Sequence, residues 1–147
     1  MLENLALSTV MVIFCVAVHF FGLAILTRIL RGRAGHLRPR NTLPGQGLVI
    51  VVIVLGLFAI HSVEIWAYAL VYHAIGAMLD FETALYFSTA TFTTVGYGDV
   101  TLATDWRLFG AIEAAAGMLL FGWSAAFLIA AMGNLRTFEH GAPKHPD

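Results

Sequence analysis

Three long apolar stretches dominate the sequence, at residues 5–27, 48–72 and 106–133. A helix needs roughly 20 predominantly apolar residues to cross the hydrocarbon core of a bilayer, and each stretch is long enough to do so. Hydrophobic residues make up 59% of the chain and charged residues only 12%, a balance unlike that of a soluble domain. The sequence therefore predicts an all-α membrane protein with three transmembrane helices.

Basic residues indicate how the chain is oriented. Five of the eight lysines and arginines lie between positions 28 and 40. Short loops with an excess of arginine stay in the cytoplasm, so the linker 31–47 is predicted to be cytoplasmic and the N-terminus to lie outside. Residues 1–30 carry Glu3 and begin without a basic segment, which favours a retained helix over a signal peptide. The tail 135–147 is expected inside, in a multi-pass protein of the inner (plasma) membrane.

A short amphipathic segment precedes the third apolar stretch. Asp80 is a suitable N-cap, and Glu82 falls in the first turn, where acidic side chains suit the positive end of a helix. Residues 81–92 would form about 18 Å of helix, which is too short to cross a bilayer. This segment is therefore predicted to be a re-entrant helix whose C-terminus leads into residues 93–99.

Residues 93–99 read Thr-Thr-Val-Gly-Tyr-Gly-Asp, with Gly96 and Gly98 at alternate positions. Glycine reaches positive φ without a steric cost, so alternate glycines can turn successive carbonyls toward one axis. Rings of such carbonyls can replace the water around a permeating ion. Irregular backbone is tolerated at membrane depth only where protein or water surrounds it, as in a pore.

This string resembles the selectivity filter of potassium channels and matches its TTVGYGD form at every position. Residues 48–134 are similar to the pore module of bacterial two-helix potassium channels, with outer helix 48–75, pore helix 81–92, filter 93–99 and inner helix 106–134. Because one chain supplies one loop, the resemblance implies a homotetramer around a central pore. It also implies that carbonyls and one threonine hydroxyl bind K⁺, at Thr94, Val95, Gly96 and Tyr97, with Gly98 completing the filter.

The resemblance also assigns supporting residues. Thr93 and Asp99 flank the filter, and in some members a pore-helix glutamate pairs with the aspartate behind it. That position is Ala90 here, so Tyr86 is expected to serve as the partner of Asp99. Gly117 lies where the family often places a hinge in the inner helix. It can equally be a small residue that lets helices pack closely.

Two glutamates lie within the apolar stretches, where ionisable residues are costly and are candidates for function. Glu64 and Glu113 are predicted at similar depths, level with the pore helix. His61 shares a helical face with Glu64, three residues away. These three residues are expected to form one polar network behind the filter, with Ser88, Thr89 or Thr91. The network either holds the pore helix in place or tunes gating with pH, since histidine titrates near neutrality.

Other function classes receive little support. His19 is expected to be a packing or hydrogen-bonding histidine, and no spacing of His, Cys, Asp and Glu indicates a metal site. No nucleophile–base pair indicates an enzyme, and no basic patch indicates nucleic-acid binding. The expected partners are K⁺ as permeant ion and the lipid bilayer, with no cofactor. Two alternatives stay open: a subunit of a cation transporter, and a non-conducting or regulatory subunit of another channel.

Overall fold

The computed structural model describes residues 2–33 and 43–136. These residues form four α-helices: α1 (Leu2–Arg33), α2 (Leu43–Ala74), α3 (Phe81–Phe92) and α4 (Arg107–Arg136). A short 3₁₀ helix (Thr104–Trp106) precedes α4, and no strand occurs in the described ranges. By length and composition, α1, α2 and α4 can each cross a membrane. The prediction of an all-α membrane protein is therefore confirmed.

The long helices extend beyond their apolar stretches. α1 continues to Arg33, and α2 begins at Leu43 rather than at residue 48. Pro44 and Gly45 were assigned to the linker 31–47, yet both lie in the first turn of α2. Proline is compatible with that position because an N–H there would have no partner within the helix. The rest of the predicted linker (34–42) and most of the predicted tail (137–147) lie outside the described residues.

The short helix α3 has the bounds expected from the sequence, and Asp80 caps it. The Asp80 backbone is extended, and its carboxylate accepts a hydrogen bond from the Thr83 backbone N–H at 2.8 Å. The Thr83 hydroxyl donates to the same oxygen at 2.7 Å. These hydrogen bonds hold the pKa of Asp80 below its ordinary value, so the carboxylate stays charged at the positive end of the helix.

All four helices contribute to one apolar core beside α3. Tyr68 and Tyr72 of α2, Phe92 of α3 and Phe109 of α4 are fully buried there, together with Cys15 of α1. Burial of aromatic side chains supplies a large part of the packing energy in such a core. The core therefore fixes the C-terminal end of α3, where the 93–99 loop begins.

Small residues bring α1 against α2 in the other half of the molecule. A Cβ atom on Gly22 would lie 2.6 Å from Ile60, and one on Gly56 would lie 2.8 Å from Leu26. Glycine is common where helices approach closely in lipid, because it lets the backbones meet. At the opposite end, Asn4 of α1 donates a hydrogen bond to the Asp105 carbonyl. The extra N-terminal helix is thus packed along its length against the helices of its own chain.

Candidate functional site

The 93–99 loop has an alternating backbone. Thr94, Gly96 and Gly98 have φ angles of 62°, 52° and 79°, while Val95 and Tyr97 between them do not have positive φ. Positive φ was expected at the two glycines, and Thr94 adds a third position. A left-handed conformation costs a non-glycine residue roughly 1–2 kcal/mol, and such strain concentrates at functional sites. The loop therefore has the backbone alternation that can turn successive carbonyls to one side.

The loop is exposed in the single chain. Val95 is 53% exposed and Tyr97 is 73% exposed, although both are large and apolar or aromatic. Apart from the adjacent residues of the chain, no heavy atom of the described residues lies within 4 Å of a Cβ atom placed on Gly96 or Gly98. A hollow of about 470 Å³ adjoins the loop, between Thr91 of α3 and Ala114 of α4. One chain alone therefore leaves both the side chains and the backbone of this segment uncovered.

The structure brings Tyr86 and Asp99 together. The Tyr86 hydroxyl donates a hydrogen bond to the Asp99 carboxylate at 2.7 Å, and the Val100 backbone N–H donates to the other oxygen at 3.0 Å. The hydrogen bond from Tyr86 is the largest influence that holds the pKa of Asp99 below its ordinary value of 3.8. The same contact raises the pKa of Tyr86. Thr93, at the other flank, directs its hydroxyl to the Thr89 carbonyl at 2.7 Å.

Glu113 joins three helices through the Glu113 cluster, which consists of Tyr72, Ser88 and Glu113. Tyr72 of α2 donates its hydroxyl to one carboxylate oxygen at 2.5 Å, and the Ser88 hydroxyl of α3 lies 2.5 Å from the other. Ser88 also lies 3.0 Å from the Ile65 carbonyl of α2. All three members are fully buried. The cluster thus connects the middle of α3 to both α2 and α4.

A second buried group, the His19 cluster, consists of His19, His61, Glu64 and Ser124. The two carboxylate oxygens of Glu64 approach Nδ1 of His19 at 3.0 Å and Nδ1 of His61 at 2.8 Å. The Nε2 atoms of the same two rings approach the Ser124 hydroxyl, at 3.4 Å from His19 and 2.9 Å from His61. These contacts close a ring of four side chains from α1, α2 and α4.

The expected single network is therefore divided into two. Among the described residues no hydrogen bond joins Glu64 to Glu113: Glu64 lies with the histidines and Glu113 with Ser88. Of the three hydroxyls proposed from α3, Ser88 joins a cluster, while Thr89 bonds the Leu85 carbonyl of its own helix. The contacts separate the two glutamates along the helices: Glu113 contacts Tyr72, eight residues after Glu64 on α2, whereas His61 beside Glu64 contacts Ser124, eleven residues after Glu113 on α4.

Two members of these clusters, Tyr72 and Ser124, were not predicted as site residues. His19 was predicted as a packing or hydrogen-bonding histidine, and it does form hydrogen bonds. The sequence did carry one signal, since His19 is an ionisable residue inside an apolar stretch. The hydrogen-bond partners of His19 lie 45 and 105 residues away, so no local spacing could identify them.

Phe92 connects the His19 cluster to the start of the loop. Its ring centroid lies 5.9 Å from that of His61 and 6.3 Å from that of Tyr68. α4 passes directly behind it, and a Cβ atom on Gly117 would lie only 2.1 Å from the Phe92 carbonyl oxygen. Gly117 thus lies where α4 touches the end of α3. This contact favours the interpretation of Gly117 as a small residue that lets helices pack closely.

Comparison with known proteins identifies one family. A protein-family model described as ion channel matches residues 60–134, just over half of the 147 residues. The matched segment contains the C-terminal half of α2, all of α3, the 93–99 loop and nearly all of α4. No curated protein and no solved structure gives a significant match.

Proposed function

Because the chain belongs to the ion channel family, we propose that it is a potassium-selective channel that conducts K⁺ passively across a membrane. The observation that carries the proposal is the positive φ at Thr94, Gly96 and Gly98. Alternate residues of this kind are what a chain needs to aim consecutive carbonyls at one axis. The C-terminal, partially negative end of α3 leads into the loop and favours a cation there.

The proposed ion sites are the carbonyls of Thr94, Val95, Gly96 and Tyr97, together with the Thr94 hydroxyl. Each oxygen would replace one contact that K⁺ makes with water, so dehydration is compensated in steps along the pore. This process breaks no covalent bond, and we propose no catalytic activity for the protein.

We propose a homotetramer, because a single chain supplies only one loop. The uncovered side chains of Val95 and Tyr97 and the neighbouring hollow support this assembly, since adjacent copies would bury them. Open space beside Gly96 and Gly98 is what an axial pore requires. The tetramer would therefore complete the packing that the single chain leaves unfinished around the filter.

The proposed location is the inner (plasma) membrane, with the N-terminus outside and the C-terminus cytoplasmic. The distribution of arginines supports this orientation. It places the loop side of the protein outside, where Asp80, Glu82, Asp99 and Asp105 are exposed. A cluster of negative charge at an outer mouth raises the local concentration of cations.

A flux assay tests the proposal. The purified protein, reconstituted in liposomes, is expected to pass K⁺ well in excess of Na⁺. Gly96→Ala is expected to abolish this flux. The added methyl group has space at Gly96, but the positive φ at this position is unfavourable for alanine. Gly122→Ala is the matched control, since Gly122 lies in α4 with no atom within 4 Å of its added Cβ. Unselective flux, or full activity of Gly96→Ala, would contradict the proposal; no flux at all would favour a non-conducting subunit.

A further inference from the structure

Three buried side chains of the His19 cluster have the chemistry of metal ligands. His19 comes from α1, and His61 and Glu64 come from α2; their exposed fractions are 0%, 6% and 0%. One ligand atom from each lies within 4.8 Å of those from the other two. We propose that His19, His61 and Glu64 bind a divalent transition-metal ion of the Zn²⁺ type between α1 and α2.

The donor set determines the class of ion. Two imidazole nitrogens and one carboxylate oxygen are a common ligand set for Zn²⁺, which leaves one coordination position open. The same set suits other divalent first-row transition metals, whereas Mg²⁺ and Ca²⁺ require oxygen ligands. Alkali ions such as K⁺ are not part of this chemistry. The site is therefore distinct in both position and ion from the proposed filter.

The observed spacing is close to that of a metal-bound state. Donors at 2.0–2.2 Å from a tetrahedral ion lie about 3.4 Å apart. The Nδ1 atoms of His19 and His61 lie 3.0 Å and 2.8 Å from the Glu64 oxygens. Entry of an ion requires these two contacts to open by roughly half an ångström, a change that is small enough for side-chain rotation.

Ser124 supplies the outer partner that such a site needs. Histidines that bind a metal through one nitrogen usually donate the other N–H to a fixed acceptor. The Nε2 atoms of both rings point at the Ser124 hydroxyl, at 2.9 Å from His61 and 3.4 Å from His19. With a metal on both Nδ1 atoms, both Nε2 atoms carry a proton, and one hydroxyl oxygen can accept from both.

The metal-free arrangement satisfies these groups less well. If both neutral rings donate from Nδ1 to Glu64, both Nε2 atoms lack a proton. Ser124 has only one proton to donate, so one of the two nitrogens has no hydrogen bond. The Glu64 carboxylate also stays without a compensating positive charge inside a membrane-spanning region, where that is costly. A bound divalent ion would compensate the Glu64 charge, and it would leave no imidazole nitrogen without a partner.

The site is enclosed by aromatic rings and adjoins the loop. The His61 ring centroid lies 4.3 Å from that of Phe121, and the His19 centroid lies 5.2 Å from that of Trp123. Phe92, the last residue of α3, lies 5.9 Å from His61. A bound ion would therefore clamp α1 to α2 beside the end of α3. The proposal concerns binding alone and stands whether or not the protein conducts K⁺.

Metal content of the purified full-length protein tests the proposal. After metal stripping and reloading with Zn²⁺, we expect one tightly bound Zn²⁺ per chain by mass spectrometry and no retained Mg²⁺. Loss of a partner beyond the ligands costs about 10–100-fold in metal affinity, and loss of a ligand should cost at least the upper end of that range. We therefore expect Glu64→Gln to lose at least about 100-fold in affinity and Ser124→Ala about 10–100-fold.

Glu113→Gln is the matched control, because Glu113 is equally buried and contacts Tyr72 and Ser88 but no histidine. It is expected to bind Zn²⁺ as tightly as the wild type. Histidines elsewhere in the chain are common to all the variants, so the difference between variants reports the cluster. Wild-type affinity in Glu64→Gln, or less than one tightly bound ion per wild-type chain, would refute the proposal.

X-ray absorption at the zinc edge tests the site without any substitution. The wild-type protein with one Zn²⁺ per chain is expected to show two imidazole ligands and one or two light oxygen ligands. A spectrum with oxygen ligands alone, or with a single imidazole, would overturn the assignment even if every variant failed to fold.

Discussion

Gly117 offers the sharpest test of how α4 meets α3. A Cβ atom there would lie 2.1 Å from the Phe92 carbonyl oxygen, whereas real Cβ contacts essentially never fall below 3.0 Å. Gly117→Ala must therefore increase the separation between α4 and the Phe92 carbonyl of α3 by at least 0.9 Å, through a backbone shift of either helix. Since no flexible side chain can give way, we expect an overpacking cost of about 1–3 kcal/mol.

Alanine also improves helix propensity by roughly 1 kcal/mol, which would mask part of that cost. Gly122→Ala receives the same gain without the clash, because its Cβ would meet no other part of the described chain within 4 Å. The difference in stability between the two variants therefore isolates the contact with Phe92. At roughly 2–4 °C per kcal/mol, the melting temperature of Gly117→Ala should lie roughly 2–12 °C below that of Gly122→Ala.

The assay is thermal unfolding of both purified variants in the same detergent, followed by K⁺ flux in liposomes. The packing interpretation predicts that Gly117→Ala loses both stability and flux, because the displaced carbonyl directly precedes the loop. A hinge role alone predicts that Gly117→Ala alters opening of the channel while its stability equals that of Gly122→Ala. Equal melting temperatures for the two variants would refute the packing interpretation.

Two further contacts lead to predictions of definite sign. Because the pKa of Asp99 is lowered in the folded protein, its carboxylate contributes stability that is fully present when the pH is above the ordinary pKa of 3.8. This stability is lost as the pH falls through the lowered pKa. Tyr86→Phe removes the main cause of the lowered pKa, so acidification should abolish K⁺ flux at a higher pH than in the wild type. Loss of flux at an unchanged pH would contradict the role of this contact. Tyr72→Phe should destabilise the protein by about 1–3 kcal/mol, because Glu113 loses a buried hydrogen bond. Tyr68→Phe should be neutral or slightly stabilising in the same unfolding assay, since the buried Tyr68 hydroxyl has no hydrogen-bond partner among the described residues; equal losses would contradict this assignment.

The contacts distinguish a structural from a regulatory role for the intramembrane ionisable residues. The Glu113 cluster ties α3 to both neighbouring helices, which suits a structural role. The His19 cluster contains two histidines, His19 and His61, and both contact the Glu64 carboxylate. If the His19 cluster has the regulatory role, the response of flux to pH is expected to change in His61→Ala and to stay unchanged in Glu113→Gln. Flux recorded between pH 5 and 8 decides; an unchanged pH response in His61→Ala removes the regulatory role.

Features that depend on local chemistry were predictable from the sequence. Hydrophobic length identifies the three spans, because the thickness of the bilayer imposes it. Asp80 and the apolar pattern identify α3 because a helix start needs a partner for its free N–H groups. Gly96 and Gly98 indicate where positive φ is available. Each of these properties involves residues that are close together in the chain.

Features that depend on which faces meet were decided by the tertiary structure. α1 is apolar on every side, so its sequence does not indicate which face meets α2 or that His19 points toward Glu64. Depth along a helix follows from residue number, but rotation about the axis follows from packing of the whole bundle. For that reason Glu64 and Glu113, which the sequence predicts at similar depths, are held by different partners. Only the folded chain brings His19, His61 and Ser124 together beside Glu64.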